Sequence, residues 1–279
     1  MEDAFKQMHL TKASGPDGMF TIFFQKYWNI VGNDVICMVL NVLNFNILVA
    51  EINKTNITLV PKTKNPAKMT EFRPISLSNV VYKLISKVLA SRLKTILSQI
   101  ITENHSAFLL VQLIIDNMLV AFELMHYLDH KRDVKDCYMA IKLNTRKTYH
   151  RVEWGFIEKV MERMGFHGKW INLIMSCITT VTYSILINGV AHECIVPSRG
   201  FHLGDLLSPY LFLLCVDGFS SLINDAARNN TLSGVSICRG CPMVTHLFFA
   251  DDNLLFCKAS TQECQNLMAT LDLYEAALG

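Results

Sequence analysis

The feature that most limits the possible fold is the stretch HLFFADDNLLF, His246 to Phe256, in which two adjacent aspartates interrupt an apolar run. In one continuous strand Asp251 and Asp252 would point to opposite faces of a sheet, so one carboxylate would face the core. A hairpin with a tight turn avoids this, because its apolar arms are buried while its tip stays in solvent. The stretch therefore predicts a hairpin with two acids at its tip. An ordinary structural turn and a cation-binding tip both fit this pattern.

A second stretch, CYMAIKLN, predicts a buried strand from Cys137 to Leu143 that ends at Asn144. A two-metal site for phosphoryl transfer holds two Mg²⁺ ions about 4 Å apart and needs a further carboxylate from a neighbouring strand. The position at the end of this strand carries an amide instead. The residues therefore indicate one half of a two-metal site without the acid of the other half.

Positive charge is concentrated between Lys54 and Lys94, where nine basic residues and one acid give a net charge of +8. A helix predicted from Asn79 to Ile100 places three lysines on one face at 100° per residue: Lys83, Lys87 and Lys94. The loop before this helix adds Lys62, Lys64, Lys68 and Arg73. The pattern is typical of a surface that binds a polyanion such as nucleic acid. A solvated helix face is the alternative.

The remaining pattern predicts an α+β fold whose strands meet at a central sheet. Asn188 and Gly189, between two apolar runs, predict a hairpin. Further helices are predicted for Val152 to Gly165, Tyr210 to Ile223 and Thr261 to Leu278. Short strands are predicted for Ile57 to Val60, Val235 to Cys238, Thr245 to Ala250 and Asn253 to Phe256.

Composition bounds the redox and membrane setting. Nine cysteines without a paired framework are expected to be free thiols in a reducing compartment, with no disulfide partner. Cys238 and Cys241 form the one close pair, which favours a Gly-containing turn over a metal site. Apolar runs such as Leu211 to Val216 are far shorter than the roughly 20 residues of a membrane span. With no signal peptide in MEDAFKQMH, the chain is expected to be soluble and intracellular, in nucleus or cytoplasm, without membrane contact.

Five stretches in order resemble the reverse transcriptase of plant non-LTR (LINE-type) retrotransposons and together cover nearly the whole chain. They are KASGPDGM, ITLVPKTKNPAKMTEFRPISLSNVVYKLISKVLASRL, MAIKLNTRKTYHRVEW, RGFHLGDLLSPYLFLLCVDGFS and FFADD. Five ordered matches are far more specific than any one of them. The resemblance implies an RNA-directed DNA polymerase with an RNA template, a DNA primer, a dNTP and two Mg²⁺ ions. Its reaction is attack of the primer 3′-hydroxyl on the nucleotide α-phosphate.

The resemblance also implies a right-hand polymerase fold. Residues 1–135 correspond to the fingers and residues 136–279 to the palm. Because the chain ends shortly after the ADD hairpin, the palm is expected to be incomplete and the thumb absent, as in a truncated copy.

Roles for single residues follow from the family's motifs. Asp251 and Asp252 match the metal-binding aspartates, and Asn144 occupies the position of the first catalytic Asp. Tyr149 matches the aromatic residue that checks the sugar 2′ position of the nucleotide. Other nucleotide contacts are implied for Lys62, Arg73, Leu203 and Gly204. The stripe of Lys83, Lys87 and Lys94 would follow the template.

The sequence departs from the family pattern at several of these positions. Asn144 and His150 replace two aspartates, and His202, Leu203 and Leu206 replace Arg, Gln and Pro. Asn144 offers Mg²⁺ a carbonyl oxygen without charge, so a weakened metal site and a rate lower by roughly a thousandfold or more are expected. The chain is then a degenerate, catalytically impaired copy. A non-catalytic nucleic-acid-binding remnant and a translated relic without function are the alternatives.

Overall fold

The structure is a computed structural model that describes residues 5, 8, 9, 13–102, 114–131, 137–145, 148–202, 204–238, 240–249 and 252–279. Its helices are α1 Thr21–Lys26, α2 Trp28–Phe45, α3 Val80–Ile100, α4 Ile114–His130, α5 Trp154–Arg163, α6 Gly168–Thr179, α7 Ser208–Arg228 and α8 Thr261–Leu278. Its strands are β1 Lys54–Pro61, β2 Phe72–Ser78, β3 Tyr138–Asn144, β4 Thr182–Ile187, β5 Val190–Ile195, β6 His246–Phe249 and β7 Asp252–Lys258. The predicted mixture of helices and strands is confirmed. The expectation that the strands meet at one central sheet is wrong, because they form two separate sheets.

The chain divides into two compact units, each made of two separate stretches of sequence. The first unit is Met1–Leu93 with Met161–Pro209, and the second is Lys94–Val160 with Tyr210–Gly279. The fingers at 1–135 and the palm at 136–279 are functional divisions that compactness alone does not test, and they stay predictions.

The first unit contains a four-stranded sheet in the order β2-β1-β4-β5. β1 pairs antiparallel with β2 and parallel with β4, and β4 pairs antiparallel with β5. The predicted hairpin at Asn188 and Gly189 is confirmed: both residues have positive φ, 52° and 81°. A two-residue hairpin turn with positive φ at both positions matches the twist of the flanking strands, and Asn and Gly adopt positive φ most readily. Strand β2 was not predicted, since Pro74 and two serines interrupt its apolar pattern.

Helix α3 supplies a large part of the first unit's core. Its apolar residues recur at helical spacing, and Leu84, Ile85 and Leu89 are fully buried, which confirms the helix predicted from Asn79 to Ile100. The buried Tyr82 donates its hydroxyl proton to the carbonyl of Cys177 in α6 at 3.4 Å.

The second unit contains a three-stranded antiparallel sheet in the order β3-β7-β6. Alternation along the strands gives this sheet two different faces. On one face Leu124 of α4 packs in a buried cluster with Leu247 and Phe256. On the other face Phe219 of α7 stacks on Phe248 at 5.5 Å between ring centroids and on Tyr274 of α8 at 4.7 Å. The sheet is therefore buried by helices on both sides.

Two predictions about the segment before β6 are wrong. The strand predicted from Val235 to Cys238 is a single bridge between Val235 and Val244, because a turn begins at once. The Ser236 hydroxyl lies 2.9 Å from the Cys238 carbonyl and 3.1 Å from the Cys241 carbonyl. This turn brings the Cα atoms of the two cysteines to 5.5 Å, and they form a disulfide, where free thiols were expected. The separation is typical of disulfides.

Two of the described helices, α2 and α7, are long and apolar enough to cross a membrane by length and composition alone. A buried helix of a globular core has the same properties, and 56% of the apolar stretch of α7 is buried. These helices are weak support for membrane contact.

Truncation of Leu124 tests how strongly α4 holds the sheet of the second unit. Leu124 is fully buried, so Leu124→Ala is expected to lower the free energy of unfolding by about 2–5 kcal/mol. Leu119 lies on the same helix with 58% of its surface exposed, and Leu119→Ala is expected to change it by less than about 0.5 kcal/mol. Urea unfolding followed by circular dichroism measures both. Equal losses in the two variants would contradict this packing.

Candidate active site

The acidic hairpin is formed by β6 and β7, as predicted. Phe249 is the register partner of Asp252, so only residues 250 and 251 connect the two strands. Asp252 is the first residue of β7 and is exposed. Asp251 lies outside the described residues. The apolar arms are buried as expected, since Leu247, Phe248, Leu255 and Phe256 are each at most 3% exposed.

Strand β3 places Asn144 directly beside this hairpin. β3 and β7 pair over seven residues, and the last pair is Asn144 with Asp252. Cα atoms of such partners lie about 4.5–5.5 Å apart, and their side chains share one face of the sheet. The amide of Asn144 and the carboxylate of Asp252 are therefore close enough to meet at one ion.

A third side chain, not predicted from the sequence, also reaches this site. The Lys142 Nζ lies 3.0 Å from the Asp252 Oδ1, and the two side chains are 62% and 54% exposed. Lys142 stands two residues before Asn144 in the same strand, so it lies on the same face. That spacing was the available signal, because a strand with Asn144 at its end must also present Lys142.

The described residues of this site do not fit a pair of divalent ions. Reverse transcriptases in general use a divalent metal, and hard cations such as Mg²⁺ are held by several oxygen ligands including carboxylates. Here Asp252 is paired with an ammonium group and Asn144 is neutral. Among the described residues no group of three or more His, Cys, Asp or Glu side chains is arranged to hold a metal ion.

Tyr149 is held near the end of β3 by a short turn. It lies in the 3₁₀ turn Thr148–His150, and its ring centroid is 5.3 Å from that of Phe212 in α7. On the strand side, the Asn253 Nδ2 donates to the Thr145 Oγ1 at 3.3 Å. The ring contact with Phe212 holds Tyr149 in place, while its predicted contact with the nucleotide stays a prediction.

Lys62 and Arg73 lie in the first unit, at the tip of the β1–β2 hairpin. Val60 is the partner of Arg73, and Lys62 directly follows Pro61, the last residue of β1. The Lys62 ammonium donates to the Thr70 carbonyl at 2.7 Å, and the Lys62 amide donates to the Glu71 carbonyl at 2.8 Å. The tip is thus an ordered loop that carries two exposed cations.

Gly204 begins a tightly held turn in the first unit, and Leu203 before it lies outside the described residues. Gly204 has φ +89°, where glycine is favoured. The Asp205 carboxylate accepts hydrogen bonds from the Leu206 amide at 2.8 Å, from the Ser208 hydroxyl at 3.1 Å and from the Ser86 hydroxyl. Asp205 was not predicted as a site residue, yet it fixes the turn.

His202 stands where the family pattern has Arg. It is 3% exposed and its ring centroid lies 5.9 Å from that of Tyr82. Burial lowers the pKa of His202, although the charge of Asp205 acts in the opposite direction. A buried neutral ring therefore replaces a side chain that would carry a permanent positive charge.

The lysine stripe on α3 is divided between the units. Lys83 and Lys87 belong to the first unit and Lys94 to the second. The Lys83 ammonium donates to the Ala13 carbonyl at 2.8 Å, which gives it a structural contact. Template binding by the three lysines stays a prediction.

Comparison with known proteins identifies the family. The family model for reverse transcriptase (RNA-dependent DNA polymerase) matches residues 60–277. The chain is 23% identical over 274 residues to the transposon TX1 uncharacterized 149 kDa protein of Xenopus laevis, covering 96% of the chain and 20% of that protein. It is 24% identical over 278 residues to the Pol polyprotein of the type-1 retrotransposable element R2 of Nasonia vitripennis, covering 99% of the chain and 25% of that protein.

A shorter match is closer in sequence. Over 67 residues the chain is 43% identical to an uncharacterized mitochondrial protein of Arabidopsis thaliana, covering 24% of the chain and 55% of that protein. The chain spans only about a fifth to a quarter of the two long relatives. The matched family model nevertheless covers most of the chain. It therefore belongs to the reverse transcriptase (RNA-dependent DNA polymerase) family and is a reverse transcriptase domain of the kind found in non-LTR retrotransposon Pol proteins.

Proposed function

We propose that the chain is a degenerate reverse transcriptase domain of a plant LINE-type element, with the fingers and palm of a right-hand fold, whose own polymerase activity is impaired. The match to a plant protein supports the plant origin. The proposed substrates are an RNA template, a DNA primer and dNTPs, which places the domain inside the cell. Lys62 and Arg73 would contact the triphosphate, Gly204 and Leu203 would lie under the nucleotide, and Tyr149 would contact its sugar.

The observation that carries the impairment is the pairing of Asn144 with Asp252 at the end of the β3–β7 ladder. An Asp at position 144 would place a second carboxylate next to Asp252. Asn has nearly the same shape, so it leaves the strand unchanged and removes only the charge. A loss of about 4 kcal/mol of transition-state stabilisation, at 1.36 kcal/mol per factor of ten, corresponds to roughly a thousandfold in rate.

The ion pair between Lys142 and Asp252 is expected to weaken metal binding less than the missing charge at position 144 does. Both side chains are more than half exposed, and exposed pairs contribute about 0–1 kcal/mol. A divalent ion would displace Lys142 at a cost of at most about fivefold in affinity. The missing charge at position 144 therefore dominates the expected loss.

Restoring the acid tests the impairment. Asn144→Asp is expected to raise Mg²⁺-dependent primer extension on an RNA template by up to about a thousandfold, because the second carboxylate returns. Asn229→Asp, an exposed position of the same unit, adds the same charge elsewhere and is expected to have no effect. Extension by the unchanged chain equal to that of Asn144→Asp would contradict the impairment.

Removing the competing ammonium tests the smaller effect. Lys142→Met is expected to raise Mn²⁺ affinity up to about fivefold, measured by titration calorimetry in the Asn144→Asp background. The matched control is Lys159→Met, an exposed lysine of the same unit, which is expected to leave the affinity unchanged. A lower affinity in Lys142→Met would show that Lys142 assists the site instead of competing with the ion.

A second candidate function is nucleic-acid binding without catalysis, favoured by the basic tip of the β1–β2 hairpin. Lys64, Lys68 and Arg73 are exposed there, and the segment from Lys54 to Lys94 carries nine basic residues against one acid. Phosphate contacts from such cations release counterions, which makes the affinity strongly dependent on salt.

Neutralising the tip tests this second function. Changing Lys64, Lys68 and Arg73 together to Gln is expected to lower single-stranded RNA affinity and to reduce the slope of log K against log salt by about 2, at roughly 0.7 per contact. The control changes three exposed cations elsewhere to Gln: Lys159, Arg163 and Lys169. Fluorescence anisotropy at several salt concentrations measures both, and equal slopes in the two triple variants would argue against binding at the tip.

A further inference from the structure

Behind the acidic hairpin, in the second unit, five polar side chains form a continuous chain of hydrogen bonds. The Thr102 amide and hydroxyl donate to the Asp217 Oδ1 at 3.0 and 2.9 Å, and the Thr102 hydroxyl lies 2.8 Å from the Ser220 Oγ. The Ser220 Oγ lies 2.6 Å from the His246 Nε2. The His246 Nδ1 lies 2.9 Å from the Thr245 Oγ1. These hydrogen bonds thus link the segment just after α3 to helix α7 and strand β6.

Four of the five groups in this hydrogen-bonded chain are buried and depend on their protein partners, while Thr102 is half-buried. Asp217 and Thr245 are 4% and 5% exposed, and Ser220 and His246 are fully buried. A buried polar group that loses its partner is costly because water cannot replace it. The arrangement is therefore a strong constraint on the position of β6.

The direction of every bond follows from the carboxylate at one end. Asp217 accepts the Thr102 hydroxyl proton, so Thr102 can only accept from Ser220, and Ser220 in turn accepts from the His246 Nε2–H. Burial lowers the pKa of His246 to about 4, so its ring is neutral near pH 7 and its Nδ1 accepts the Thr245 proton. Burial of Asp217 raises the pKa of its carboxyl group, although the hydrogen bonds from Thr102 act in the opposite direction. His246 is thereby fixed as the Nε2–H tautomer.

Strand β6 needs such an anchor because of its place in the sheet. It has four residues, His246–Phe249, and among the described strands it lies at the edge of the sheet, beside β7. A short edge strand can slip in register, and a slip of one residue would turn His246 to the other face. His246 begins the strand, and Phe249 at its other end pairs with Asp252. Register at His246 therefore sets where the connection that contains Asp251 begins.

We propose that His246 is a positioning residue that pins the register of β6 against β7 and so fixes the geometry of the acidic hairpin, whose strand β7 lies beside Asn144. Hydrogen bonds through Ser220 and Thr102 anchor His246 to the carboxylate of Asp217. The link from hairpin position to metal binding rests on the proposed function, whereas the pinning of the strand does not.

Amide hydrogen exchange tests the pinning directly in the full chain. His246→Leu removes both ring bonds and is expected to speed exchange across β6 at least tenfold relative to the most protected amides of the second unit. His246→Gln keeps a donor near the position of Nε2 and is expected to restore most of the protection. Leu255→Ala is the matched control, since Leu255 is the register partner of His246 and is 1% exposed. It is expected to change β6 and the rest of the unit alike.

Nitrogen-15 NMR of the imidazole gives a second readout that does not depend on stability. The expected spectrum is that of a neutral Nε2–H ring at pH 6. An Nδ1–H ring, or equal effects of His246→Leu and Leu255→Ala on β6, would overturn the proposal.

A metal arm separates this inference from the proposed function. In the Asn144→Asp background, His246→Leu is expected to lower Mn²⁺ affinity about tenfold and Leu255→Ala by less than twofold. Failure of Asn144→Asp itself to bind Mn²⁺ would defeat the proposed function, while the exchange and NMR results would still decide the role of His246. Unchanged affinity in His246→Leu, with binding intact, would defeat the link between strand register and the metal site.

Discussion

The pairing of β3 with β7 is the interaction on which the candidate site depends. Seven consecutive residue pairs, from Tyr138 with Lys258 to Asn144 with Asp252, fix which side chains share a face and which end of the sheet carries them. A slip of one residue would send Asp252 to the opposite face and would exchange the two sides of the sheet on which Leu255 and Phe256 are buried. The helices that cover both faces therefore specify the register, and the register specifies the site.

Charge, more than shape, distinguishes this site from one that can hold two ions. Asp252 meets a neutral amide from Asn144 and an ammonium from Lys142 within one exposed end of the sheet. The ammonium is a mobile surface cation of small energetic weight. The amide is permanent. Of the three described side chains at this strand end only Asp252 is a carboxylate, and relaxation of side chains cannot add a second one at position 144.

Local patterns predicted the elements well and their long-range contacts poorly. The period of two placed Asp252 at a hairpin, and the apolar run before Asn144 predicted its strand, so half of the site followed from sequence. Lys142 could have been added by the same period. Strand β2 was not predicted because Pro74 and two serines weaken its apolar pattern. It forms in the structure because it pairs with β1 over seven residues. The disulfide of Cys238 and Cys241 escaped because it depends on the turn that Ser236 closes.

The buried polar chain shows why some structural determinants cannot be found in a motif. Thr102, Asp217, Ser220 and His246 are separated by up to 144 residues of sequence, and no spacing connects them until the fold is formed. These groups are constrained by the stability of the fold, since the loss of a hydrogen-bond partner there destabilises it. The choice between Asp and Asn at position 144 changes the charge of the site and preserves the strand in which the residue lies. A reverse transcriptase domain can therefore keep the strand pairing of this site although position 144 carries no carboxylate, and only a measurement that responds to charge distinguishes it from a domain that has the acid.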